Sequence, residues 1–299
     1  MAYHVPVLLR ESIDGLDIKP NGIYVDLTFG GGGHSTEILN HLSKKGKLFA
    51  FDQDEEALAN AIDDPRFTLI RSNFRFFRNF LKYHKINTVD GILADLGVSS
   101  HHFDSPERGF SFRFEGPLDM RMNQKQKISA KSVVNGYSPE DLSKVFALYG
   151  ELQNAKRLAN AICQAREGKA IDTVEQLYEM LKPMFPFKTQ NKMLAQVFQA
   201  IRIEVNQEMS VLEQMLTNAT KCLKKDGRLV VISYHSLEDR LVKNYFRSGN
   251  FEGDLDKDFY GNVTSPYEQM NRKVIVPTDE ELNINSRARS AKLRIGRKV

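Results

Sequence analysis

Four consecutive glycines, Gly30 to Gly33, end a short apolar segment at residues 22–29, Gly-Ile-Tyr-Val-Asp-Leu-Thr-Phe. His34 and Ser35 follow, and Asp52 ends the next apolar run, about twenty residues on. The first run reads as a buried parallel strand. Glycines there let the chain turn sharply and let a ligand approach the backbone, and the later carboxylate can accept hydrogen bonds from ribose hydroxyls. A glycine cluster alone also serves plain turns. With Asp52 at that spacing, a nucleotide-type ligand is the better reading.

What the loop lacks narrows the ligand. In the dinucleotide pattern Gly-x-Gly-x-x-Gly/Ala, Gly30 and Gly32 take the first two places but Ser35 falls on the third, and a frame one residue later puts Thr36 there. A P-loop is excluded because no Gly-Lys-Ser/Thr follows. A ligand with a ribose and no phosphate remains, and S-adenosylmethionine is the common one. Its sulfonium is positive, so carboxylates suit its pocket, and the strand ends supply Asp26, Asp52 and Asp95. Each taken alone also reads as an ordinary strand-end aspartate.

Asp95 leads into Leu96-Gly-Val-Ser-Ser100, and His235 leads into Ser236. Both lie where an open α/β sheet places its reacting groups. The Asn/Asp-Pro-Pro-Tyr/Phe signature of many amino-directed methyltransferases is absent. No cysteine lies near either strand end, so a thiolate nucleophile is disfavoured. Cys163 and Cys222 sit in helix-like apolar patterns and read as buried spacers. Transfer to nitrogen or oxygen by direct in-line attack is expected, with Asp95 the candidate catalytic acceptor. His101 and His102 adjoin Asp104 but have no second ligand pair at helical spacing, so no metal is expected.

The elements that position these residues alternate through the first third of the chain. Strands are expected at 23–28, 47–51, 67–71 and 89–95, and helices at 35–42, 55–62 and 74–83, with Ser35 capping the first. The rhythm stops from 99 to about 210, where helical stretches at 139–148, 150–166, 173–181 and 193–206 follow a Gly/Phe/Arg-rich loop. It resumes with a helix at 211–223, a Lys-Asp-Gly turn and a strand at 228–233. The reading is an α/β doubly wound domain in 1–104 and 211–299, with a helical domain inserted at 105–210. Ser236 and Asp239 suggest a capping box. Residues 249–267 read as a mobile loop, and 273–276 with 291–295 as a closing antiparallel hairpin of the kind class I methyltransferases have.

The chain has 299 residues, a net charge of +4 and two cysteines. Length allows a generous core, and cysteine usage suggests a reducing interior. The start shows no basic-then-apolar signal and no run approaches transmembrane length, so a cytoplasmic protein without a membrane partner is expected. Between Asp64 and Asp90 there is no acidic residue, while Arg66, Arg71, Arg75, Arg78, Lys82 and Lys85 alternate with five aromatic rings. After Asn285, Arg287, Arg289, Lys292, Arg294, Arg297 and Lys298 repeat the bias. Such surfaces suit single-stranded nucleic acid. For Phe77 and Phe80 the core face of an amphipathic helix is preferred.

Eight ordered blocks carry a resemblance to a known family: His4-x-Pro-Val-Leu-Leu-x-Glu11, Asp26-x-Thr-x-Gly-x-Gly-Gly-His-Ser35, Asp90-Gly-Ile-Leu-x-Asp-Leu-Gly-Val-Ser-Ser100, Arg108-Gly-Phe-Ser-Phe112, Gly116-Pro-Leu-Asp-Met-Arg-Met122, Phe198-Gln-Ala-x-Arg-Ile203, Val231-Ile-Ser-x-His-Ser-Leu-Glu-Asp-Arg240 and Ser290-Ala-Lys-Leu-Arg294. Together they resemble the ribosomal RNA small subunit methyltransferase H family over nearly the whole chain. The resemblance implies a class I (Rossmann-like) S-adenosylmethionine-dependent methyltransferase with an inserted helical domain that helps form the substrate cleft. It implies methyl transfer to the N4 amine of a P-site cytidine of 16S rRNA in the cytoplasm, with the small ribosomal subunit as partner. Its cofactor positions fall on Gly32, Gly33, His34, Asp52, Phe74, Asp95 and His102. The last departs from the family, where many members have Pro-Gln in place of His101-His102. Leu152, residues 192–195 and Ser286 depart too, none of them removing a glycine or carboxylate of the cofactor site. A small-molecule methyltransferase and an RNA-binding ribosome-assembly factor are the alternatives.

Overall fold

The computed structural model describes residues 6–98, 100–261, 264–271 and 273–299. His4, Ser99 and the side chains of Ser100 and His101, all named above, lie outside the described residues. The chain divides into two compact units, Met1–Gly97 with Met209–Val299, and Val98–Glu208.

In the first unit, β1 (Ile23–Asp26), β2 (Lys47–Asp52), β3 (Phe67–Arg71), β4 (Val89–Asp95), β5 (Leu223–Ser233), β6 (Tyr267–Gln269) and β7 (Lys292–Lys298) form one sheet. Their order is β3-β2-β1-β4-β5-β7-β6. β1 to β5 pair in parallel, and β7 runs antiparallel to both β5 and β6. Alternate residues of each inner strand enter opposite cores, as the two-residue pleat requires. Val25, Phe49, Phe51, Ile92 and Val231 pack on one face; Tyr24, Leu48, Leu93 and Val230 pack on the other. Helices cover both faces, which is why these strands read as continuous apolar runs. The helices α1 (Leu9–Leu16) and α2 (Gly33–His41) cover the second face. On the first face α3 (Phe77–Tyr83) buries Phe77 and Leu81. Phe77 is wholly buried, worth about 1.5–3 kcal/mol, and both Phe77 and Phe80 meet Phe51 edge-on. The core-face reading of those two rings therefore holds.

The second unit has no strand among its described residues. It comprises α4 (Ser100–Asp104), α5 (Ala130–Gly136), α6 (Pro139–Gly150), α7 (Ala155–Gly168), α8 (Val174–Leu181) and α9 (Gln190–Asn206), packed around their own apolar core. Its Gly/Phe/Arg-rich loop is folded tightly: a Cβ on Gly109, at φ 68°, would lie 2.2 Å from the Pro117 carbonyl oxygen. The buried Arg108 guanidinium donates to the Arg121 and Met122 carbonyls at 3.1 Å each. The remaining helices are α10 (Glu208–Cys222), α11 (Ser236–Ser248) and α12 (Asp279–Ile284).

Four local expectations are corrected. The helical stretch at 55–62 is a 3-10 turn, Glu56–Asn60. Ser35 does not cap α2, because Gly32 holds that position and the Ser35 hydroxyl is committed to Asp26. The box at α11 is His235 with Glu238, one residue earlier than expected. The outer partner of β7 is β6, which begins at Tyr267, the last residue of the expected mobile loop, whereas Ile275 makes only an isolated bridge to Leu293. There the Asn271 side chain takes the Leu293 carbonyl and the Ile295 N–H, ladder groups a longer strand would need.

Candidate active site

The order of strands reverses between β1 and β4, so β2 and β3 lie to one side of β1 and β4 and β5 to the other. Ligands of open α/β sheets bind beyond the carboxyl ends at such a point. Asp26 ends β1, Asp95 ends β4 and Asp52 ends the adjacent β2.

The loop from β1 to α2 needs its glycines for distinct reasons. Gly30 and Gly32 have φ 51° and 77°, in the left-handed region. A Cβ on Gly33 would lie 2.2 Å from Pro6 Cγ, while one on Gly31 would meet nothing within 4 Å. The loop's open backbone is thus at Gly31. Asp52 fixes it: the Gly30 N–H donates to Asp52 Oδ2 at 2.9 Å, and the Asp54 N–H to Oδ1 at 2.9 Å. A carboxylate oxygen is the acceptor type that a ribose hydroxyl requires.

Asp26 is not a lining group, contrary to expectation. It is buried and accepts from the Ser35 hydroxyl at 2.7 Å and the Thr28 N–H at 3.0 Å. Burial pushes its pKa above the ordinary carboxylate value, with those hydrogen bonds opposing.

Asp95 is held differently. Its N–H donates to Thr28 Oγ1 at 2.7 Å, and its Oδ1 accepts from the Tyr234 hydroxyl at 2.8 Å. Its Oδ2 stands 3.9 Å from His34 Nδ1. Burial raises Asp95 to about 7; the Tyr234 hydrogen bond works against that shift, while Asp26 and Glu238 add to it. Burial lowers His34 to about 4, so its ring is neutral at pH 7. His34 Nε2 lies 3.1 Å from the Val7 carbonyl, which can only accept, so Nε2 carries the hydrogen and a bare Nδ1 faces Asp95. A carboxyl that titrates near neutrality, beside a neutral imidazole, is poised to take up a proton.

Tyr234, at the end of β5, carried no expectation from sequence. Its backbone N–H donates to the buried Glu238 at 2.9 Å, so the helix start at α11 fixes the ring that reaches Asp95. Burial, then Asp95, pushes its phenol above the ordinary value. Phe74 opens a 3-10 turn after β3 and is partly buried against the core. The preceding Asn73 bonds Gln53 at 2.8 Å, tying that turn to the end of β2.

Gly32, Gly33, His34, Asp52, Phe74 and Asp95 all belong to the first unit. His102 belongs to the second, buried in α4 with its ring 4.9 Å from that of Phe110. Cys222 is buried and raised to about 12 by burial, and Cys163 is part-buried on α7. In the basic tail, Arg294 and Lys292 both pair with Asp239, at 2.7 and 3.4 Å. They hold Asp239 below the usual carboxylate value against the upward push of its burial.

A doubly wound sheet in this strand order, closed by an antiparallel β7 and carrying a glycine loop and acidic strand ends at its switch point, is the class I methyltransferase architecture. More particularly, the chain belongs to the MraW methylase family, whose model matches residues 1–299. It is similar to proteins named ribosomal RNA small subunit methyltransferase H. That of Flavobacterium johnsoniae is 61% identical over 299 residues, covering 100% of this chain and 99% of the relative. That of Bacteroides thetaiotaomicron is 58% identical over 298 residues, covering 100% and 98%. Likeness to solved structures is distant: an rRNA methylase from Streptococcus thermophilus aligns over 100% of this chain and 99% of its own, with a TM-score of 0.44 at 14% identity. Among the described residues, no helix is long and apolar enough to cross a membrane.

Proposed function

We propose that this protein transfers a methyl group from S-adenosylmethionine to the N4 amine of a P-site cytidine of 16S rRNA in the small ribosomal subunit, in the cytoplasm. The observation that carries the reading is full-length similarity, at 61% identity, to a protein named for small-subunit ribosomal RNA methylation. The site suits the cofactor. The backbone is open at Gly31, Asp52 places a carboxylate at the end of β2 beside the glycine loop, and His34 is neutral, so no cationic imidazole opposes the sulfonium. In this reading Gly32, Gly33 and the His34 backbone border the methionine portion, Asp52 takes the ribose hydroxyls and Phe74 borders the adenine. When bound, the cofactor supplies an electrophilic methyl group.

Asp95 is the acceptor for the proton that the target amine gives up. Tyr234 holds Oδ1, which leaves Oδ2, on the side of the neutral His34 ring, to take the proton. The amine's lone pair is delocalised into the pyrimidine ring, so positioning and proton removal are what the protein must supply. Mass spectrometry of 16S rRNA nucleosides from a strain lacking this gene tests the assignment. The expected result is loss of N4-methylated cytidine, restored by the gene; unchanged N4 methylation contradicts it.

A further inference from the structure

We propose that a groove on the exposed face of α7 is a docking site for a single-stranded stretch of RNA, an inference that rests on the rRNA-methylating function above. The groove has a volume of about 660 Å³ and is lined by Gln153, Lys156, Arg157, Asn160, Gln164 and Met184, among others. No carboxylate lines it. Residues 152–166 and 180–203, which supply its lining, contain no aspartate or glutamate. Lys156 and Arg157 are exposed and, among the described residues, make no ion pair.

Those two cations sit in the first turn of α7, where the positive end of the helix dipole disfavours them and no acidic residue compensates. Asn154, at the N-cap, makes no capping bond, and its Oδ1 is buried without a hydrogen-bond partner. An anion in the groove would offset the cations' repulsion. Beyond Met184 the chain presents Phe187, which is 91% exposed, followed by the exposed Lys188 and Lys192. Cations for phosphates, amides for base edges and 2′-hydroxyls, and a bare ring for stacking are the combination that single-stranded RNA uses.

The test is fluorescence anisotropy of the full-length protein with a labelled, mixed-sequence, single-stranded RNA of about 12 nucleotides, across a salt series. Lys156→Ala with Arg157→Ala should weaken binding roughly tenfold at low salt and flatten the salt slope by about 0.7 for each phosphate no longer neutralised. Phe187→Ala should weaken binding about fivefold with the slope unchanged. The three side chains are exposed, so melting temperatures should match wild type. RNA affinity and slope unchanged in the double variant overturn the proposal. So does weakened binding to assembled small subunits with RNA affinity intact, which assigns the groove to a protein of the subunit. Wild-type methyl transfer, measured alongside, separates this failure from that of the parent reading: transfer that persists with an RNA-indifferent groove removes the groove alone.

Discussion

The Tyr234 hydroxyl donates to Asp95 Oδ1 across 2.8 Å, joining the carboxyl ends of β5 and β4. That bond favours the ionised carboxylate and opposes the effect of burial. Tyr234→Phe should therefore raise Asp95 further above its value of about 7. The acid limb of the single-turnover rate should move up by about one pH unit, as expected for a hydrogen bond to a charged group worth ~1.5 kcal/mol. An unmoved limb, with cofactor affinity intact, would remove Asp95 as the acceptor.

The same pair of shifts predicts how stability responds to pH. Asp95 folds with a raised pKa, so its contribution is fully present below the unfolded value and is lost as pH rises towards about 7. His34 folds with a lowered pKa, so stability associated with it grows as pH rises from about 4 towards its unfolded value. The two oppose each other over that interval. Asp95→Asn removes the first and should leave a melting temperature that climbs with pH more steeply than wild type between about 4 and 6.5. Parallel curves would show that Asp95 is not perturbed.

Neighbouring glycines of the loop should respond differently to one methyl group. Gly33→Ala drives a Cβ into Pro6 and should cost about 1–3 kcal/mol in thermal unfolding. Gly31→Ala meets open space and should melt close to wild type. Equal losses at both would mean that the Gly33 contact does not set the loop.

Asp52→Ala removes the anchor of Gly30 and, in the proposed function, the ribose acceptor. Calorimetry should show S-adenosylmethionine affinity reduced by about 1.5–3 kcal/mol in a folded protein. Full affinity would take Asp52 out of the site.

Arg294→Ala should act on stability and leave the salt slope of RNA binding unchanged, because its guanidinium is committed to Asp239. Truncation leaves that carboxylate short of a charged partner, at a cost of about 1–3 kcal/mol. A flattened slope would return Arg294 to the RNA surface.

The sheet was legible because parallel strands buried on both faces are continuous apolar runs, and the glycine loop with Asp52 was legible from spacing. Spacing does not say which oxygens are already occupied. Asp26 looked like Asp95 in sequence, yet Ser35 and Thr28 consume it. Lys292 and Arg294 looked like phosphate ligands, yet both are held by Asp239, 53 and 55 positions away. Tyr234 occupies an unremarked place in Val231-Ile-Ser-x-His, and its partner is 139 positions distant. Its one signal was adjacency to His235 at a strand end. β6 was hidden because a three-residue strand carries too little periodicity to stand out from a Gly- and Asp-rich stretch.

The most direct measurement is nucleoside mass spectrometry after the purified protein is incubated with S-adenosylmethionine and small subunits from the deletion strain. The expected product is N4-methylcytidine in 16S rRNA, with the yield preserved when Cys163 and Cys222 are both changed to Ala and sharply reduced by Asp95→Asn. A 5-methylcytidine product, or a covalent adduct trapped on either cysteine, would contradict it.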